Sequence, residues 1–141
     1  MVAITPTAER SSPAIQGWVI VARLITLMIF LQPFFIGLLF SGHSMGMYAH
    51  RANAYALFLL TLGGLIVATV TRLGTPAGRT MIGEFIHLLV GIIVVAILGV
   101  LSHEGVIRLH WLHFPAGVAL LAPAMSLVAA AQALYRPDAD D

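Results

Sequence analysis

The sequence predicts an all-α fold: a four-helix transmembrane bundle, up-down-up-down, with both termini in the cytoplasm. Three observations predict it. The composition is 60% hydrophobic and only 9% charged, where soluble domains carry about 25% charged residues. The apolar residues gather into four runs, each long enough to supply the ~20 residues that a helix needs to cross the hydrocarbon core. The links between runs are short, and short links make sequential helices antiparallel neighbours. Mean hydropathy is +0.98. A soluble core built from 141 residues could not hide that much apolar surface, so the chain reads as an integral membrane protein with no room for a separate soluble domain.

The elements follow in order. Residues 1–17 form a polar N-terminal segment. It shows no obvious small-residue cleavage pattern, so the first apolar run is expected to be retained rather than removed as a signal peptide. That run is the first span, Trp18 to Phe40. The link Ser41–Ala49 leads to the second span, His50 to Thr71. The next link, Arg72–Thr80, reads RLGTPAGRT, and its glycines, proline and arginines are loop signals. The third span runs from Met81 to Leu101, and the link Ser102–Arg108 leads to the fourth, Leu109 to Leu134. Residues 18–135 thus make the transmembrane domain, and residues 136–141 an acidic tail. Trp18, Tyr48, Trp111 and Tyr135 fall at span ends, where aromatic belts form. Gly63, Gly64, Gly83, Gly91, Gly99 and Gly117 would let helix backbones approach closely. Pro33 and Pro115 mark kinks or helix starts.

All seven basic residues are arginine. Arg10, Arg72, Arg79 and Arg136 fall on one side of the four spans, Arg51 and Arg108 on the other. The side richer in arginine is expected to be cytoplasmic. The bundle is then expected in a bacterial inner membrane, with lipid and other membrane subunits as its partners. No basic run suggests nucleic acid. The absence of cysteine excludes disulfides, thiolate-bound iron–sulfur clusters and c-type haem attachment. No Gly-rich phosphate loop or nucleophile–histidine–carboxylate set stands out. An electron-transfer or accessory role is therefore expected before a catalytic one.

The histidines point to chemistry. His43, His50, His103, His110 and His113, five of the six in the chain, lie in or beside the two outward links. Neutral imidazole is the commonest metal ligand and an axial ligand to haem iron. The two halves also look alike there. FSGHSMGMYAHRANAYALFLL (Phe40 to Leu60) and LSHEGVIRLHWLHFPAGVALL (Leu101 to Leu121) each have a histidine opening a span and a small residue four positions on. These pairs are His50 with Ala54 and His113 with Gly117, and His87 with Gly91 has the same spacing. Residues at i and i+4 share a helix face. A small residue one turn from an imidazole leaves a flat slot that suits a porphyrin or chlorin ring, or a close helix neighbour.

The first candidate is a haem b held by His50 and His113. Spans two and four run in the same direction and would sit diagonally, with Arg51 or Arg108 available for the propionates. His43, His103 and His110 are substitute ligands. A chlorophyll-type pigment needs only one such histidine. The second candidate is a copper or zinc ion at the outer face, where His43 and His50 mix with Met45 and Met47; thioethers favour Cu(I). The third is Glu84 with His87 in span three. Intramembrane ionisable residues usually have partners, so Arg23 of span one is expected to pair with Glu84, with His87 hydrogen-bonded to it. That group would be a structural pair or a proton or quinone site. Gln32, in mid-span, is expected to donate an interhelical hydrogen bond. The rival to every cofactor reading is a non-catalytic accessory subunit with interfacial histidines and no cofactor.

The pattern IGLLFSGHSMGMYAHRANAYALFLL followed by LHWLHFPAGVALL resembles small uncharacterised four-helix membrane proteins of bacteria, over roughly Phe30 to Arg136. The resemblance implies the fold and no activity. The element His50-Arg51-x-x-Ala54 is similar to the ligand helices of haem A synthase and other four-helix haem b proteins, in which histidines of paired helices hold the iron. That similarity implies a ligand role for His50 and His113. The second half departs from it, reading His113-Phe114-Pro115 without the arginine.

Overall fold

The computed structural model describes residues 13–71, 74–103 and 110–134. They form five helices: α1 (Pro13–Phe40), α2 (Met45–Val70), α3 (Pro76–His103), α4 (His110–Ala119) and α5 (Leu121–Ala133). Four segments are long and apolar enough to cross a membrane: α1, α2, α3, and α4 with α5 together. The polar segment 1–12, the tail 136–141, and Arg10, Arg72, Arg108, Arg136 and Tyr135 lie outside the described residues.

Three helices begin earlier than their apolar runs. α1 starts at Pro13, α2 at Met45 and α3 at Pro76, five residues ahead of the expected span start in each case. The apolar run marks the hydrocarbon crossing, and each helix extends beyond it into the preceding polar stretch. Thr75 caps α3, its Oγ1 accepting the Gly78 N–H at 3.0 Å. Pro76 follows at the first helical position, where its missing N–H costs nothing.

The α1–α2 corner is set by Gly42, at φ 88°, a left-handed conformation that favours glycine. The His43 N–H bonds the Leu38 carbonyl and the Gly42 N–H the Leu39 carbonyl, both at 3.0 Å, closing a Schellman cap.

The fourth span is two helices and not one. They meet at Leu120, whose N–H reaches Gly117 O at 3.3 Å in a tight turn. Pro123 lacks an N–H, so the Ala119 carbonyl loses its i+4 donor and the helix breaks there. Pro115 lies inside α4 and Pro33 inside α1.

The helices form a square. α1 packs on α2 and on α4 and α5; α3 packs on α2, α4 and α5. Among the described residues the diagonal pairs, α1 with α3 and α2 with α4 or α5, make no backbone contact. The start of α2 lies beside the end of α1, and the start of α4 beside the end of α3, so neighbours are antiparallel. Asn53 Nδ2 donates to Met28 O of α1 at 2.7 Å. Thr26 Oγ1 lies 3.0 Å from Ala22 O and 3.5 Å from Ala124 O, reaching from α1 to α5.

The core occupies one half of the bundle. Its buried residues include Ala22, Ile25, Met81, Phe85, Leu88 and Leu127. They come from the first half of α1, the second half of α2, the first half of α3 and from α5. Small residues let the backbones close up there: a Cβ on Gly64 would meet the Phe85 ring at 2.6 Å. Outside the core, Ile20, Phe30, Phe34, Leu59, Ile97 and Val118 are all more than half exposed. Such an apolar exterior is what a bilayer solvates and water does not.

Candidate functional site

The other half of the bundle holds a cavity of about 640 Å³, open to the apolar exterior at Phe30, Tyr55 and Val118 and within the range of small-molecule and cofactor sites. Gln32 and Pro33 of α1, His50 and Ala54 of α2, and His113 and Gly117 of α4 all line it. The rest of the lining is almost wholly apolar.

His50 and His113 face one another from the two diagonal helices. Their ring centroids are 6.3 Å apart with an interplanar angle of 65°. His113 is anchored: its Nδ1 lies 3.0 Å from Val95 O of α3. A carbonyl only accepts, so Nδ1 carries the proton and Nε2 keeps its lone pair. Gly99 makes room for this ring. A Cβ there would lie 2.9 Å from His113 Cε1 and 3.2 Å from Nδ1. His50 Nδ1 and Gln32 Oε1 are both buried without a hydrogen-bond partner among the described residues, which makes them the cavity's polar atoms in want of partners.

The small residues one turn from each histidine divide into two kinds. A Cβ on Gly117 would meet nothing within 4 Å, so no helix neighbour demands that glycine, and it borders open space. A Cβ on Gly91 would run into Leu120 Cδ2, so the slot beside His87 is filled by helix packing.

Two imidazoles can grip one ion from opposite sides only at a set spacing. A metal–imidazole bond is about 2 Å, which puts the two ring centroids about 6 Å apart. The observed 6.3 Å fits that spacing. The Val95 carbonyl on His113 Nδ1 is also the kind of contact that fixes a ligating histidine. The ring separation is thus the one a bis-histidine centre would need, with the rings edge to face at 65°.

The remaining candidates are placed elsewhere. His43 is exposed in the α1–α2 corner and does not line the cavity. Arg51 is exposed beside His50 on α2. Met45 is 69% exposed, and no group of three or more His, Asp or Glu side chains comes together among the described residues. The side chains of His103 and His110 lie outside the described residues, although their backbones end α3 and open α4.

The pair expected between Arg23 and Glu84 does not form. α1 and α3 are diagonal, so Arg23 is exposed on α1 while Glu84 faces the adjacent α5. Ser126 Oγ donates to Glu84 Oε1 at 2.7 Å, and His87 Nδ1 lies 3.4 Å from Oε2. The donor role expected of Gln32 falls to Asn53. Val95 escaped the sequence reading, because a backbone carbonyl leaves no pattern of its own; Gly99 was expected only to let helices approach, and its place beside the His113 ring was not legible.

Comparison with protein families, with curated proteins and with solved structures finds no match to this chain.

Proposed function

We propose that the protein is a small membrane subunit that binds haem b through His50 and His113 and serves electron transfer within a larger redox complex. The observation that carries this reading is the facing of two imidazoles, with ring centroids 6.3 Å apart, beside an apolar cavity and between helices whose backbones make no contact among the described residues. When bound, the haem would supply one-electron redox chemistry. The chain's own residues do the rest. Val95 O holds the His113 ring with Nε2 available, Gly99 lets that ring lie close to α3, and Gly117 leaves a flat wall. The apolar lining excludes water. Arg51 is the described cation nearest in sequence to a ligand, in place to meet a propionate. The bacterial cytoplasmic membrane, with the histidine end outward, is part of the same proposal and rests on the arginine distribution.

The test is a reduced-minus-oxidised absorption spectrum of the full chain, produced with haem supplied and purified in detergent. A low-spin b-type Soret and alpha band is expected. A featureless spectrum would return the protein to the accessory-subunit reading, and red or near-infrared bands would point to a chlorin. Gly99→Val is expected to weaken haem retention by roughly 10-fold or more, the scale seen when a group that orients a metal ligand is lost. Titrating haem into the wild-type and variant proteins checks it.

A further inference from the structure

The cluster around Glu84 has no part in the proposed haem site, and it leaves a polar group facing outward at a depth where water is absent. α3 has 28 residues, roughly 42 Å at 1.5 Å per residue, against a hydrocarbon core of about 30 Å. His87 lies eleven residues into it, about 16 Å along. With the helix centred in the bilayer, that is about 10 Å inside the nearer hydrocarbon boundary. Its side chain is 73% exposed on the outer surface of the bundle, while that of Glu84 is 17% exposed.

A net charge at this depth is costly. Two arrangements of the hydrogen-bonded pair are neutral overall: carboxylate with imidazolium, and carboxylic acid with neutral imidazole. Both place an N–H on Nε2. Ser126 occupies Oε1 and Nδ1 occupies Oε2, so the pair is committed inward and the Nε2–H points out. No protein acceptor meets it among the described residues. A donor in hydrocarbon without an acceptor is expensive.

An oxygen dissolved in the membrane can supply that acceptor. Ester carbonyls of lipids sit in the interfacial region, above this depth. The molecule must approach α3 and α5 from the lipid side. On α5 the exposed Ala122 and Ala129 flank Ser126, and on α3 a Cβ at Gly83 would meet nothing within 4 Å, so no bulky side chain at these positions blocks it. We propose that His87, held by Glu84 and Ser126, binds the carbonyl oxygen of an isoprenoid quinone at the lipid-facing surface of α3 and α5. The hydrogen-bond site stands on its own geometry; the choice of a quinone rests on the electron-transfer reading. His87 lies eight residues, or about 12 Å of helix, from Val95, the anchor of His113.

The experiment measures binding of a short-chain ubiquinone to the full-length protein in lipid nanodiscs, with infrared detection of the quinone carbonyl stretch. Wild type is expected to bind it and to shift the carbonyl band downward. His87→Ala is expected to remove the shift and weaken binding about tenfold or more, the scale of one lost hydrogen bond at an unsatisfied site. Glu84→Gln is expected to weaken it too, whereas His87→Gln, which keeps an N–H donor, should retain much of the shift. Helix content and gel-filtration profile confirm that each variant is folded. Quinone binding without any haem signal would end the haem reading and leave this site standing. No binding by wild type, or equal binding by His87→Ala, would overturn it. So would a photo-crosslinker at Val90, one turn along α3 and exposed, that captured a second protein in native membranes and no quinone.

Discussion

Changing either His50 or His113 to alanine is expected to abolish the low-spin haem spectrum. Each ring supplies one of two opposed ligands, and no described side chain can replace it. His43 is exposed in a corner away from the cavity, and no group of three or more ligating side chains forms among the described residues. Loss of a contact that merely orients a ligand costs about 10–100-fold in affinity. Loss of the ligand itself should exceed the upper end of that range, and the double variant should retain no haem. Added imidazole offers a check on interpretation. If the cavity stays formed, free imidazole should restore part of the six-coordinate spectrum in either single variant. Wild-type spectra from both variants would falsify the ligand assignment outright.

The second large effect concerns stability. Gly46 stands at the start of α2, directly against α1. A Cβ there would fall 2.5 Å from both Leu39 N and Phe35 O, and 3.1 Å from Leu39 Cα. All three are backbone atoms of α1, which cannot rotate away as a side chain could. Overpacking of a well-packed interior costs about 1–3 kcal/mol and occasionally more. Gly46→Val should lie at or above the upper end of that range, because the two helices must separate to admit it. Gly63→Ala, in the same helix, provides the comparison. Its Cβ would meet nothing within 4 Å, and alanine is favoured over glycine in helices by about 1 kcal/mol. Denaturant titrations of the detergent-solubilised variants should therefore shift in opposite directions. Equal shifts would mean that the α1–α2 corner is looser than the structure has it.

The four spans were legible because each apolar run is long and uninterrupted, and only a membrane solvates such a surface. Element ends were less so. Hydropathy marks where the chain enters hydrocarbon, while Thr75 and Pro76 decide where α3 begins. The break at Leu120 follows from Pro123, whose effect depends on one missing N–H and not on any change in hydropathy. The pairing of His50 with His113 could be anticipated from their equal depth on diagonal helices. Glu84 shows the limit of matching by depth alone. Arg23 lies at a similar depth, yet the square places it diagonally, and a neutral serine on the adjacent helix meets the carboxylate instead. Gly91 and Gly117 make the same point. Both lie four residues beyond a histidine, and only the position of Leu120 separates a packing glycine from one that borders a cavity.

The unequal filling of the two halves of the bundle bears on how such a chain can change over generations. Ile25, Met81, Phe85, Leu88 and Leu127 are wholly or almost wholly buried at one end, and substitutions there strike at folding itself. At the other end some cavity walls, such as the face of α4 at Gly117, border open space, so a new side chain can be tried there at less structural risk. The break at Leu120 lies between these regimes and separates them within a single span. Selection can thus rework the pocket while the foundation stays fixed, and one scaffold can lodge different guests without being rebuilt.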